Sequence, residues 1–186
     1  MAYSVAVPVL PDFATRFNAS PTTIGLLFAS FGITLLLLSV PMGAISDRVG
    51  RKGPMMFGLA LLAFSTLAFA YASSLPMLFA ARLLQGAADG MTWIVGFAMI
   101  ADLYGVEERG RAMGIYAGIS MIFLALGPLV GGLLTEGWTW RAVFWINIPV
   151  ALVMLALAAV TLPRDERDRE ARFDWPGAFT LVPGLV

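Results

Sequence analysis

Two ionisable side chains, Arg82 and Asp89, interrupt an otherwise apolar run between residues 76 and 101. Inside a membrane each such charge costs about 2.5–3.5 kcal/mol near the middle, so it persists where it faces water, a partner or the inside of a helix bundle. Seven positions separate the two, nearly two turns of helix, which puts them on one face about 10 Å apart. Gln85 lies between them and Thr92 extends the stripe by three residues. A carboxylate desolvated near a guanidinium can change protonation as its surroundings open and close, which is what coupling to a proton gradient requires. The same stripe also suits a plainer role, a polar clamp between neighbouring helices.

A second constellation runs Gly43-x-x-x-Asp47-Arg48-x-Gly50-Arg51-Lys52. It reads as a tight glycine turn with one carboxylate at a helix end and three cations beside it. A basic loop that only sets orientation needs no such spacing of glycines and a lone acid. The third is a glycine series: Gly110, Gly114 and Gly118, then Gly127, Gly131 and Gly132 around Pro128. Small residues four apart predict close helix approach, and Pro128 removes one backbone hydrogen bond and permits a kink.

What is missing narrows the chemistry. The 186 residues contain no histidine and no cysteine, so there is no imidazole proton switch, thiolate metal site or disulfide. A Ser–His–Asp set has no histidine to use, and no phosphate-cradling G-x-x-x-x-G-K-[ST] loop occurs. An enzyme, ATP-driven transport and any cofactor or metal are therefore not expected. The formal net charge is zero, and without a basic stripe no nucleic-acid partner is expected.

The elements that position these groups are membrane helices. The chain is 59% apolar and 13% charged, with a mean hydropathy of +0.84, whereas soluble domains carry about 25% charged residues. Apolar blocks near 20 residues match a hydrocarbon core of about 30 Å. They predict spans at 23–45, 54–73, 76–101, 112–135 and 142–162. Residues 1–10 are apolar but reach only about 15 Å as a helix. They lack the basic start and small-residue cleavage site of a signal peptide, so they read as the end of a first span whose start is absent. Residues 163–174 form a charged linker, and 175–186 begin another span. Arg48, Arg51, Lys52, Arg109, Arg111, Arg164, Arg167, Arg169 and Arg172 fall on alternate joints, against Arg16 and Arg141 on the others. By the positive-inside rule the former joints, and the amino terminus of the intact protein, are cytoplasmic.

At this point the sequence resembles the major facilitator superfamily. GAISDRVGRK (Gly43 to Lys52) is similar to the family's loop 2–3 signature, RLLQGAADG (Arg82 to Gly90) to its fourth-helix signature, and GPLVGG (Gly127 to Gly132) to its antiporter-associated fifth-helix signature. The resemblance implies an all-α fold: residues 1–162 as the amino-terminal six-helix bundle, its first span incomplete and a seventh only begun. It implies that Asp47, Arg48 and Arg51 latch the cytoplasmic side in one conformation, with Asp102 joining their network. It associates Arg82 with proton transfer, and the Gly127–Gly132 run with a hinge that seals the half-barrel. Asp89 stands where the family more often has a small residue. VPVLPDF, ARLLQGAADGMTW and IADLYGVEERGRAMG resemble 12-span multidrug:proton antiporters, while WRAVFWINIPVAL and FDWPGAFTL resemble the 14-span drug:proton group.

The implied activity is proton-coupled efflux of small lipophilic or cationic molecules across the plasma membrane. The implied partners are the bilayer, the substrate with its protons, and the carboxy-terminal half of the same transporter. Two alternatives remain open on sequence: an uptake symporter for a sugar or organic acid, and a non-transporting truncated membrane fragment.

Overall fold

The computed structural model describes residues 15–162. The expected first-span piece at 1–10, the linker at 163–174 and the start of a further span at 175–186 lie outside them. The described chain is all helix: α1 (Pro21–Val49), α2 (Lys52–Ala70), α3 (Leu75–Leu103), α4 (Val106–Gly137), a single turn α5 (Ala142–Trp145), and α6 (Asn147–Thr161). With α5 and α6 taken together, five helical stretches are long and apolar enough to cross a membrane.

Each start and stop has a local cause. The Ser20 hydroxyl accepts from the Thr23 amide at 3.2 Å, and Pro21 follows at a position whose N–H has no helical partner anyway. Gly50 ends α1 at φ 94°, a left-handed conformation that other residues adopt only under strain. The break at Ile146 follows from Pro149, whose ring crowds the carbonyl four residues back, at Trp145, where α5 stops.

The helices overrun the expected spans. Asp47 and Arg48 lie on the last turn of α1, Asp102 on the last turn of α3, and the charged stretch from Glu107 to Arg111 on the first turns of α4. Hydropathy marks where lipid ends, but glutamate, arginine and lysine continue a helix readily, so the backbone ladder runs on into the interface. At 29 residues, α1 and α3 reach about 43 Å, well beyond the hydrocarbon.

The middle of the structure is α3, which packs along both α1 and α2. Glycines make this possible, though not the expected ones. A Cβ on Gly86 would collide with the Phe31 carbonyl oxygen and lie 3.0 Å from its carbon and 3.1 Å from Thr34 Cβ. One on Gly90 would lie 3.3 Å from the Leu35 oxygen, and one on Gly58 would lie 2.9 Å from the Thr92 methyl. By contrast, a Cβ on Gly110, Gly114, Gly118 or Gly132 would meet nothing within 4 Å among the described residues. Glycine permits close approach but does not attract a partner, and no described helix lies against that face of α4. Gly127 and Gly131 are buried, and α4 runs unbroken through Pro128.

A compact cluster closes the end opposite the Gly50 turn. Phe69, Leu78, Val143 and Phe144 are wholly buried there, with Leu27 and Trp140 nearly so, and the Phe69 and Phe144 rings are 4.5 Å apart. Arg141 ties it together. Its Nε donates to the Ala70 carbonyl at 2.6 Å and a terminal nitrogen donates to Ala72 at 3.2 Å, while the guanidinium lies 4.6 Å from the Trp140 ring. Burial, then the nearby charge of Arg16, lowers the pKa of Arg141, and Tyr71 acts the other way.

Because backbone meets backbone at Gly86, Gly86→Ala is expected to destabilise the fold by about 1–3 kcal/mol, the usual range for overpacking. Gly114→Ala, built into open space, should be neutral or slightly stabilising. Thermal unfolding of the two variants in one detergent checks the contrast.

Candidate functional site

On α3 the two charges that the spacing grouped make no direct contact with each other. Arg82 and Gln85 are both 0% exposed. The Arg82 guanidinium sits between the rings of Phe28 from α1 and Phe69 from α2, with centroids at 4.7 and 4.6 Å. It donates to Gln85 Oε1 at 3.2 Å, and Gln85 Nε2 reaches Thr66 Oγ1 on α2 at 3.5 Å. Ring faces and an amide oxygen thus solvate a cation taken out of water, each ring contributing about 0.5–2 kcal/mol.

Asp89 is different. It is half-buried in the middle of α3, and its carboxylate has no hydrogen bond and no ion pair with Arg82 among the described residues. Thr92 does not serve it. Its hydroxyl donates back along α3, 3.0 Å from the Ala88 carbonyl and 3.2 Å from that of Asp89, and its methyl faces Gly58. The expected four-residue polar stripe is therefore an Arg82–Gln85–Thr66 unit and a carboxylate with no direct contact to it.

One turn beyond Asp89 stand three rings that the sequence reading missed. Trp93 and Phe97 of α3 and Tyr116 of α4 lie 5.0–5.2 Å apart, centroid to centroid. Single aromatic residues in a greasy helix look lipid-facing. The usable signal was spacing, since Trp93 and Phe97 follow Asp89 at four and eight residues, on one side of the helix.

At the Gly50 end, Arg51 is a hub. Its Nε donates to Asp102 Oδ2 at 2.8 Å, and one terminal nitrogen donates to Asp47 Oδ1 at 2.5 Å and Ser46 Oγ at 2.7 Å. This joins the ends of α1 and α3 to the start of α2. Burial alone lowers the Arg51 pKa, but the hydrogen bonds and charges of Asp102 and Asp47 overcome it, and the net direction is upward. Arg51 therefore stays cationic throughout the physiological range.

The neighbouring cations do other things. Lys52 Nζ donates to the carbonyls of Ala159 and Leu162, at 2.9 and 2.7 Å, which end α6. Arg109 donates to the Ala101 carbonyl in the last turn of α3. Arg48 is exposed and makes no ion pair among the described residues. Gly43 is not needed for space, since a Cβ there would rest 3.7 Å from Ile94; its carbonyl accepts from Ser46 at 2.9 Å. Of the ten-residue motif, then, Gly50 supplies the turn, Arg51 the network and Lys52 a tie to another helix.

Five helical stretches long and apolar enough to cross a membrane, a buried arginine and a charged hub linking helix ends mark a polytopic membrane protein. The Major Facilitator Superfamily model matches residues 1–183, and the chain belongs to that family. Among its relatives is "Multidrug resistance protein 3" of Bacillus subtilis, 30% identical over 85% of this chain and 31% of that protein. Another is "Methyl viologen resistance protein SmvA" of Salmonella typhimurium, 31% identical over 98% and 39% respectively. The chain spans about a third of the length of the curated relatives it matches. Two solved transporters share the fold. The inward-open xylose transporter XylE from E. coli has a TM-score of 0.68 at 20% identity, over 88% of this chain and 44% of that one. The human organic anion transporter MFSD10 (TETRAN) has 0.69 at 22%, over 97% and 49%.

Lys52→Met should release the end of α6. Losing about 1 kcal/mol of charge-assisted capping speeds amide exchange in the last turn of α6 by about fivefold. Arg51→Ala should leave that turn unchanged, which hydrogen–deuterium exchange mass spectrometry distinguishes.

Proposed function

We propose that the protein carrying this chain exports small lipophilic or cationic molecules in exchange for protons, with Asp89 as the group that changes charge. The observation that carries this reading is the Asp89 carboxylate, half-buried at mid-helix with no hydrogen-bond partner among the described residues. Arg82, the cation on the same helix face, is engaged by Phe28, Phe69 and Gln85. A membrane carboxylate without a fixed counterion is costly when charged, so it favours a mobile one, a proton or a cationic substrate. A carboxylate that proton and substrate take in turn is the minimum device for exchange.

The remaining parts of the reading fit around that group. The drug-resistance names of the relatives support export as the direction. The Arg51–Asp102–Asp47 network holds three helix ends together at one face, and it serves as a latch that parts when the bundle changes access. The second half-site comes from a pseudo-symmetric carboxy-terminal bundle, with substrate between the two near mid-membrane. The intact protein lies in the plasma membrane with its amino terminus inside.

Asp89→Asn keeps the shape and removes the titratable charge. In everted vesicles carrying the full reading frame, it is expected to abolish dye or drug transport driven by a pH gradient. Wild-type transport should collapse when a protonophore is added. Unchanged coupling in the variant rejects the role of Asp89, and efflux indifferent to the protonophore rejects proton exchange.

A further inference from the structure

We propose that Asp89, Trp93 and Tyr116 form a recognition site for an organic cation that carries aromatic rings, with Phe97 as its back wall. The proposal rests on the export reading above and names the substrate class that the same carboxylate selects.

The charge requirement comes from Asp89. Its carboxylate lacks a hydrogen bond among the described residues, and Arg82 lies about 10 Å away along the helix and is occupied by its own rings. Among the described residues, no side chain takes up the negative charge by direct contact.

The shape requirement comes from the rings. Trp93 begins one turn from Asp89, and its plane is tilted 42° from Tyr116 and 76° from Phe97, while Phe97 and Tyr116 meet at 81°. Rings set at such angles turn their faces in different directions instead of stacking into a closed pile. All three are half-buried, so part of each stays accessible.

The site is also held in place. A Cβ on Gly96 would lie 3.0 Å from the Tyr116 hydroxyl and 3.9 Å from the Met55 methyl, so the phenol rests on bare α3 backbone beside a polarisable thioether. Two helices, α3 and α4, contribute the walls along a short seam. An electronegative ring face beside an unpaired carboxylate binds a diffuse cation and offers little to an anion or a sugar.

Ring contacts as seam packing alone are the competing explanation, and the variants separate the two. Trp93→Leu and Tyr116→Leu keep apolar bulk without a π face, whereas Trp93→Phe and Tyr116→Phe keep a ring. Binding to the purified full-length protein is measured with tetraphenylphosphonium and with its neutral analogue, triphenylphosphine oxide. Each leucine variant is expected to weaken tetraphenylphosphonium about tenfold while changing the neutral probe little, and the phenylalanine variants should stay near wild type. Asp89→Asn should weaken the cation by tenfold or more and spare the neutral probe.

Leucine variants that bind the cation as tightly as wild type overturn the ring assignment. A full-affinity Asp89→Asn overturns the anchor. Equal loss of both probes, with normal elution in size exclusion, also overturns it, because shape alone is then being read. Proton-driven efflux that depends on Asp89 but ignores the rings leaves export standing without this site. Ring-dependent binding of a cation that is never pumped leaves the site standing without export.

Discussion

The guanidinium of Arg82, buried between aromatic rings of two other helices, is the contact around which the described bundle is arranged. A full positive charge at that depth is tolerated only if its surroundings solvate it. Here the solvation comes from three helices at once: Phe28 on α1, Phe69 and Thr66 on α2, and Gln85 on α3 itself. Sliding or rotating any of the three by a residue strips the cation of part of its shell. One helical turn away, Gly86 brings the α3 backbone against α1, so the polar requirement and the steric fit select the same register. Each reinforces the other.

The helix ends are organised by a related rule. The last carbonyls of a helix have no partner within it and carry the negative end of its dipole. Cations supply what is missing: Lys52 at the end of α6, Arg109 near the end of α3 and Arg141 at the end of α2. Arg51 instead gathers carboxylates from two helices. Charges that hydropathy counts alike as loop residues thus do distinct work. Some close single helices, and one joins several: Arg51 ties the ends of α1 and α3 to the start of α2.

Asp89 stands apart from both arrangements, and it gains meaning from what surrounds it. A carboxylate paired with Arg82 would be a clamp. Without a direct partner among the described residues, it is the group on which the proposed exchange and cation recognition rest. Fixed charges tie helices together, whereas Asp89 is a half-buried carboxylate with no direct partner among the described residues.

The sequence by itself determined the all-helical class, five long apolar stretches among the described residues, the Gly50 turn and the family. Hydrophobic thickness, the cost of a buried charge and the demand for glycine at positive φ are properties of a residue and its near neighbours, so they show in one dimension. The tertiary structure alone decided which groups meet. It engaged Arg82 with rings of two other helices, gave Arg51 the network and left Arg48 outside it. It drew Lys52 to α6 and, among the described residues, set close approach at Gly58, Gly86 and Gly90 and not along Gly110–Gly118. Those outcomes depend on how each helix is rotated about its axis and where it crosses its neighbours. Helical periodicity shows which residues share a face. It carries no information about which helix, many residues away in the chain, that face will meet.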